Sequence, residues 1–200
     1  MNGALRWVGV HAPAPLMLLC LAAVSAELVL GGMPAALPWA PDVDLRWGLM
    51  LPLVTVASLV TMMHTGLGGF EHSRRTEWRG TRALWCLLLV TVASAPAPLI
   101  LDGLETSGSL RNRVVFASLA VMGSMIVPAT LSVLTPAVLM MVSMLAAGAS
   151  ESPAFLGALL RPSATTADTA LAVILLGIAV TTYALGYPPR WAVPGRTETL

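Results

Sequence analysis

Long apolar runs alternate with short polar segments along the 200 residues of this chain. Most of the runs lack the polar stripe that a surface helix of a soluble protein turns toward water. Crossing a hydrocarbon layer of about 30 Å takes roughly 20 helical residues. The pattern therefore predicts an all-α, polytopic membrane protein with one transmembrane domain, residues 1–200, and six spanning helices. Their expected bounds are 15–32, 47–64, 83–101, 114–134, 136–149 and 169–187.

The stretch from Val114 to Ala149 is too long for a single crossing. As one helix it would extend about 54 Å, at about 1.5 Å per residue. Proline breaks a helix and restricts the residue before it, so we expect the chain to turn at a proline. The bounds above place this turn at Pro136, in the sequence LTP, and Pro128 is the alternative.

The composition of the chain limits the function classes open to it. The net charge is +1 and 10% of the residues are charged, so nothing favours nucleic-acid binding. All eleven basic residues are arginine, and a chain without lysine has no P-loop of its own for ATP. His64 and His72 are separated by a Gly-Gly break, which does not fit a helical metal site. We expect no enzyme activity, metal or cofactor in this chain.

The arginines divide unevenly between the two sides of the predicted domain. With the N-terminus inside the cell, seven arginines lie inside and four outside, the outer ones being Arg46, Arg111, Arg113 and Arg161. Cytoplasmic loops carry the excess of basic residues, so we expect both termini to be inside. The lysine-free, Ala-, Leu- and Val-rich composition is typical of a GC-rich bacterial genome. It indicates a bacterial cell membrane as the surrounding bilayer.

A densely charged segment, GLGGFEHSRRTEWRGTRALW, separates the second and third expected spans. Glu71, Arg75, Arg79 and Arg82 recur at helical spacing and share one face. Two interpretations stay open: a positive-inside anchor, or an amphipathic helix that docks a cytoplasmic partner. The carboxylates favour docking, since a protein interface uses both signs of charge to fix its register. The candidate docking residues are Phe70, Glu71, Arg74, Arg75, Glu77, Trp78, Arg79 and Arg82.

This layout resembles the permease subunits of the type-two ABC exporter family. The segment FEHSRRTEWRGTRALW is similar to their coupling helix, with Glu71 at the place of an acidic residue often found there. The segment ESPAFLGALLRPSATTAD, Glu151–Asp168, is similar to their short outer re-entrant helices between spans five and six. The resemblance implies a cytoplasmic ATPase subunit that binds ATP and magnesium, and a second permease copy or homologue. The alternative is a non-transporting assembly, immunity or scaffold subunit of a larger membrane complex.

Glu27 is the one carboxylate within or at the edge of an apolar run. A carboxylate inside a membrane is costly unless it is partnered or hydrated, which makes it a candidate functional residue. Glu27 either reaches the outer headgroups or belongs to a substrate path or subunit contact. Met140 and Met144 are further candidates for that path, with ordinary packing as the alternative. A mostly apolar lining predicts an amphipathic or hydrophobic substrate, such as a peptide or a lipid-like molecule.

Overall fold

The computed structural model of the protein describes residues 14–38, 45–64, 79–97, 104–127, 129–147 and 154–185. Within these ranges the chain forms nine helices, and the β structure there is one isolated bridge between Pro34 and Arg46. The expected all-α fold is thereby confirmed. The helices are α1 (Ala14–Leu30), α2 (Trp47–Met50), α3 (Pro52–His64), α4 (Arg79–Ser94), α5 (Leu104–Ser124), α6 (Ala129–Ser132), α7 (Leu134–Ala146), α8 (Ala154–Ala158) and α9 (Thr166–Leu185).

Helix α5 lies at the centre of the bundle and contacts α3, α4, α7 and α9. Its C-terminal half is apolar, and Phe116 and Ala120 there are fully buried. A helix surrounded by apolar neighbours has no need of a polar stripe, because no face of it meets water. The N-terminal half of α5 is polar, and its buried side chains Asn112 and Arg113 bond to neighbouring segments.

The helices around α5 expose large apolar side chains on their outer faces. Helix α1 packs on α3, and α9 packs on α5 and α4. Among the described residues, α9 is the one helix long and apolar enough to cross a membrane. Shorter apolar helices cover 17–30, 47–61, 83–94 and 134–146. The exposed apolar side chains include Leu18, Leu21 and Val29 of α1, Leu84 and Leu88 of α4, and Val173, Ile174 and Ile178 of α9.

Prolines lie at the beginnings of α3 and α7. Leu51 separates α2 from α3, and Pro52 is the first residue of α3, where its missing N–H costs no helical hydrogen bond. After α5 the chain turns at residues 125–127, and a second turn at Val133 separates α6 from α7. Pro136 lies in the first turn of α7. The turn expected at Pro136 is therefore corrected to residues 125–127 and Val133.

The fourth helix also differs from its expected bounds of 114–134. Helix α5 begins at Leu104 and ends at Ser124, so it lies ten residues earlier in the chain (104 against 114, 124 against 134). The sequence pattern assigns Arg111 and Arg113 to an outer loop because both are charged. In the structure these two side chains have partners inside the bundle. The helix therefore continues through Arg111 and Arg113, and both side chains are buried.

A layer of loops covers the end of the bundle where α5 begins. Residues 31–37 run beside 45–48, and the Ala35 N–H donates to the Leu45 carbonyl at 2.7 Å. The loop that leads from α8 to α9, residues 159–165, packs against α5 at Gly108. A Cβ at that glycine would lie 2.1 Å from the Pro162 carbonyl oxygen. Only glycine therefore permits so close an approach of helix and loop.

Candidate functional site

A charged pair is buried in the interior of the bundle, between α1 and α5. Glu27 is 0% exposed and Arg113 is 0% exposed. Arg113 uses all three guanidinium nitrogens: Nη2 donates to Glu27 Oε2, Nη1 to the Ala93 carbonyl at 2.6 Å, and Nε to Ser109 Oγ at 3.2 Å. The spacing of Ser109 and Arg113, four residues apart on one helix face, makes this contact possible. Each of the three guanidinium nitrogens thereby donates a hydrogen bond.

The Glu27 carboxylate is satisfied from a second side by α3. Thr55 Oγ1 donates to Glu27 Oε1 at 2.5 Å, and Thr55 is itself 1% exposed. A buried ion pair is tolerated when the remaining lone pairs and protons find hydrogen-bond partners, and here both carboxylate oxygens do. We call Glu27, Thr55, Ser109 and Arg113 the polar core.

The polar core gathers the ends of four helices. Glu27 lies in the last turn of α1 and Thr55 in the first turn of α3, while Ala93 is in the last turn of α4. These groups meet the N-terminal half of α5. C-terminal turns of α1 and α4 therefore lie beside N-terminal parts of α3 and α5. Because these helices also pack side by side, α1, α3, α4 and α5 run alternately in opposite directions.

A second set of buried polar groups joins α5 to the loops that cover it. Asn112 Nδ2 donates to the Leu49 carbonyl at 3.2 Å and to the Leu159 carbonyl at 2.7 Å. Arg111 Nη2 donates to the Arg161 carbonyl at 3.0 Å. Because unpaired carbonyls in a low-dielectric interior are costly, these bonds stabilise both the loops and the helix.

Helix α9 begins with a reciprocal cap next to this set. The Thr165 N–H donates to Asp168 Oδ2 at 3.0 Å, and the Asp168 N–H donates to Thr165 Oγ1 at 3.2 Å. This is the capping-box arrangement, with aspartate as the acidic member. Asp168 also lies 3.7 Å from Arg111 Nη1. The start of α9 is thus tied to α5 by charge as well as by packing.

The chemistry of the polar core is that of a closed, balanced pair. One carboxylate and one guanidinium neutralise each other, and each carboxylate oxygen and each guanidinium nitrogen has a hydrogen-bond partner within the bundle. In the described part of the chain, no three His, Cys, Asp or Glu residues lie close enough together to hold a metal ion. The arrangement fixes helices against one another.

The expected docking residues fall mostly outside the described ranges. Phe70, Glu71, Arg74, Arg75, Glu77 and Trp78 lie outside them, within residues 65–78. Arg79 and Arg82 lie in the first turn of α4, so this helix includes the end of the charged segment and continues into the third apolar run. In the sequence the charged segment lies between α3 and α4; the C-terminus of α3 and the N-terminus of α4 are at the ends of these helices that lie away from the polar core.

The three candidate path residues have different surroundings. Glu27 is fully enclosed within the bundle and paired with Arg113. Met140 is buried in the apolar core on α7, and Met144 is partly buried against the same core. Both methionines therefore contribute to the internal packing of α7.

Arg113 is the functional candidate that sequence reasoning missed. It borders the apolar run that begins at Val114, and its charge favours an outer loop. Glu27 gave the available signal, because a carboxylate in an apolar run requires a partner. Three arginines directly precede an apolar run, Arg46, Arg82 and Arg113, so the sequence alone does not say which of them is the partner. Comparisons of the chain with family models, with curated proteins and with solved structures gave no match.

Proposed function

We propose that this protein is a multi-pass subunit of a bacterial cell membrane, with six spans and both termini in the cytoplasm. The observation that supports this placement is the reversal of the usual soluble pattern. Glu27, Arg113 and Asn112 are buried, whereas leucine, valine and isoleucine side chains cover the outer faces of α1, α4 and α9. An apolar surface of this extent favours aggregation in water but is solvated by lipid. Ionisable groups inside membranes face the bundle interior and pair there.

The order of the helices supports the same placement. Helices α1, α3, α4 and α5, which meet at the polar core, run alternately in opposite directions, as successive membrane crossings do. Helix α9, with 20 residues, extends about 30 Å at about 1.5 Å per residue, which matches the hydrocarbon core. In this orientation the polar core and the loops at 31–37, 45–48 and 159–165 lie toward the outer face.

Within this placement we propose the permease subunit of an ATP-driven exporter. The charged segment around Phe70–Arg82 docks a cytoplasmic ATPase subunit, which binds ATP and magnesium. Helices α3 and α4, which the segment connects, contact each other and both contact α5. A displacement of the segment is therefore passed directly to the central helix. This connection from the docking surface to the centre of the bundle is what supports transport coupling.

The substrate route lies between two permease copies or homologues. A cavity inside the bundle, between α3, α4 and α5, measures about 10 Å³ and has an entirely apolar lining. It has room for about one water-sized group, which is too little for a peptide or a lipid-like molecule. The outer apolar faces, by contrast, suit an amphipathic or hydrophobic substrate that moves along a subunit interface.

A second candidate function is a non-transporting membrane subunit of a larger complex. The observation that favours it is the hydrogen bonding of the polar core. Through these bonds Glu27 and Arg113 fix α1, α3, α4 and α5 to one another at one end of the bundle. Such a bundle suits a static scaffold as well as a rigid half of a moving assembly. The two functions differ in whether an ATPase binds the charged segment.

The first experiment tests the membrane placement. The protein is expressed in a bacterial host, and membranes are washed with alkaline carbonate to remove peripheral proteins. Activity reporters fused within 39–44, within 98–103 and after the C-terminus then record the side of each site. We expect carbonate resistance, outer positions for the first two fusions and a cytoplasmic C-terminus. Extraction by carbonate would contradict the placement.

The second experiment tests transport coupling. The tagged protein is purified from its native host, and co-purifying chains are identified by mass spectrometry. We expect an ATPase to co-purify with the parent protein and to be lost from the Glu71→Ala/Glu77→Ala variant. Arg161→Ala is the matched control, because that side chain is exposed at the opposite end of the bundle. Retention of the ATPase in the double variant contradicts docking at this segment, and absence of any ATPase favours the scaffold function.

A further inference from the structure

The polar half of α5 depends on a partner for its place in the bundle. This half contains Ser109, Arg111, Asn112 and Arg113, all of them buried. Helix α5 is not among the apolar helices of the described ranges, in contrast to α1, α4, α7 and α9. A segment with this content is expelled to the membrane surface when it stands alone, because charged side chains enter hydrocarbon at high cost.

The negative charge that pairs with Arg113 is the Glu27 carboxylate on α1. The other two hydrogen-bond acceptors of Arg113 among the described residues are a carbonyl, from Ala93, and a hydroxyl, from Ser109. Both are neutral, so within the described part of the chain the Glu27 carboxylate is the group that balances the guanidinium. The two residues are 86 positions apart, and α1 is therefore inserted well before α5 is made. The carboxylate is in place when the arginine arrives.

The dependence also runs from α5 to α1. Helix α1 packs on α3, and its outer face carries exposed apolar residues such as Leu18, Leu21 and Val29. Lipid tails are as apolar as these side chains, so hydrophobic burial gives little drive for α1 to stay docked. Its hydrogen bonds through Glu27 to α3 and α5 supply the specific attachment.

We propose that the Glu27–Arg113 pair is an assembly latch. Helix α5 takes its place in the bilayer against α1, and α1 holds its position through α5. The proposal rests on the membrane placement given above but not on transport. Its failure is read from the position of α5, whereas failure of the placement is read from carbonate extraction of the parent protein.

The experiment measures whether α5 is sealed in the bundle. In a background with Cys20→Ser and Cys86→Ala, a reporter thiol is introduced by Val115→Cys, at a buried position of α5 one turn below Arg111. The protein is placed in nanodiscs of phosphatidylethanolamine and phosphatidylglycerol and treated with a membrane-impermeant maleimide. Labelling rates are compared for the parent, Glu27→Gln and the double variant Glu27→Gln/Arg113→Met. A separate reporter, Thr166→Cys, lies at an exposed position and reports the rate of an accessible thiol in each background.

The latch predicts at least a tenfold faster labelling of position 115 in Glu27→Gln than in the parent. The double variant is expected to label within about twofold of the parent, because removing both members leaves no unpaired charge. If Glu27→Gln fails to accumulate in carbonate-washed membranes while the double variant accumulates, the latch is equally supported. A labelling rate of Glu27→Gln equal to that of the parent would overturn the proposal. A double variant that is labelled as fast as Glu27→Gln, or that accumulates as poorly in the membrane, would also overturn it.

Discussion

Replacing Gly108 with alanine tests the contact between α5 and the loop that leads to α9. The added Cβ would lie 2.1 Å from the Pro162 carbonyl oxygen and 2.9 Å from the Arg161 carbonyl oxygen. Both neighbours are backbone atoms, so they cannot rotate away as the end of a flexible side chain would. Either the loop shifts outward or α5 moves inward, and both movements disturb packed or hydrogen-bonded groups.

The expected cost has two parts. Forcing extra atoms into a packed site costs about 1–3 kcal/mol. An outward shift of the loop also weakens the bonds that Asn112 makes to Leu159 and that Arg111 makes to Arg161. Such bonds within membrane proteins contribute about 0.6 kcal/mol on average. Alanine in a helix offsets about 0.5–1 kcal/mol of this cost, so we expect Gly108→Ala to lower the free energy of unfolding by about 1–4 kcal/mol.

The assay is a titration of purified protein with sodium dodecyl sulfate in mixed micelles, followed by tryptophan fluorescence. Gly177→Ala is the matched control, because it also lies within a helix and a Cβ there meets no atom within 4 Å. Alanine is the better helix former by about 0.5–1 kcal/mol, so the control should be neutral or slightly stabilising. If Gly108→Ala and Gly177→Ala unfold at the same detergent fraction, the close packing of α5 against the loop is refuted.

Three further predictions use the same titration. Asn112→Ala should lower the free energy of unfolding by about 1–3 kcal/mol, because two backbone carbonyls lose their donor. The control Ser118→Ala removes a hydroxyl that bonds to a carbonyl of its own helix, and it should change the free energy by less than about 1 kcal/mol. Equal effects of the two variants would contradict a stabilising role for the Asn112 bonds to Leu49 and Leu159. Thr55→Val should cost about 1–2 kcal/mol through loss of a donor to the buried carboxylate, whereas Thr91→Val at an exposed position should be near neutral. Asp168→Ala should cost about 1 kcal/mol as a lost helix cap. The loss should be smaller in high salt, because salt screens the Asp168–Arg111 ion pair that contributes to it; a loss that does not change with salt would contradict a contribution from the pair.

The apolar runs predicted where helices lie more reliably than where they begin. The first and last runs, 15–32 and 169–187, coincide closely with α1 and α9, since a long apolar run has few competing structures. For α5 the same reasoning fails. The apolar-run pattern continues the outer loop as far as Arg113, because a charged side chain normally lies in water. The pattern contains no information about a carboxylate 86 positions away. The beginning of α5 is set by a tertiary contact.

By itself the sequence determined the helical class, the apolar character of the chain and the significance of Glu27 as a carboxylate in an apolar run. Each of these depends on local composition and spacing, which a single chain displays directly. The tertiary structure alone decided that Glu27 pairs with Arg113, that Asn112 bonds two separate segments, and that Gly108 must lack a side chain. These features require groups far apart in the chain to meet within a few ångströms. Whether a buried charge is stable depends on what it meets there, and its neighbours in sequence do not contain that information.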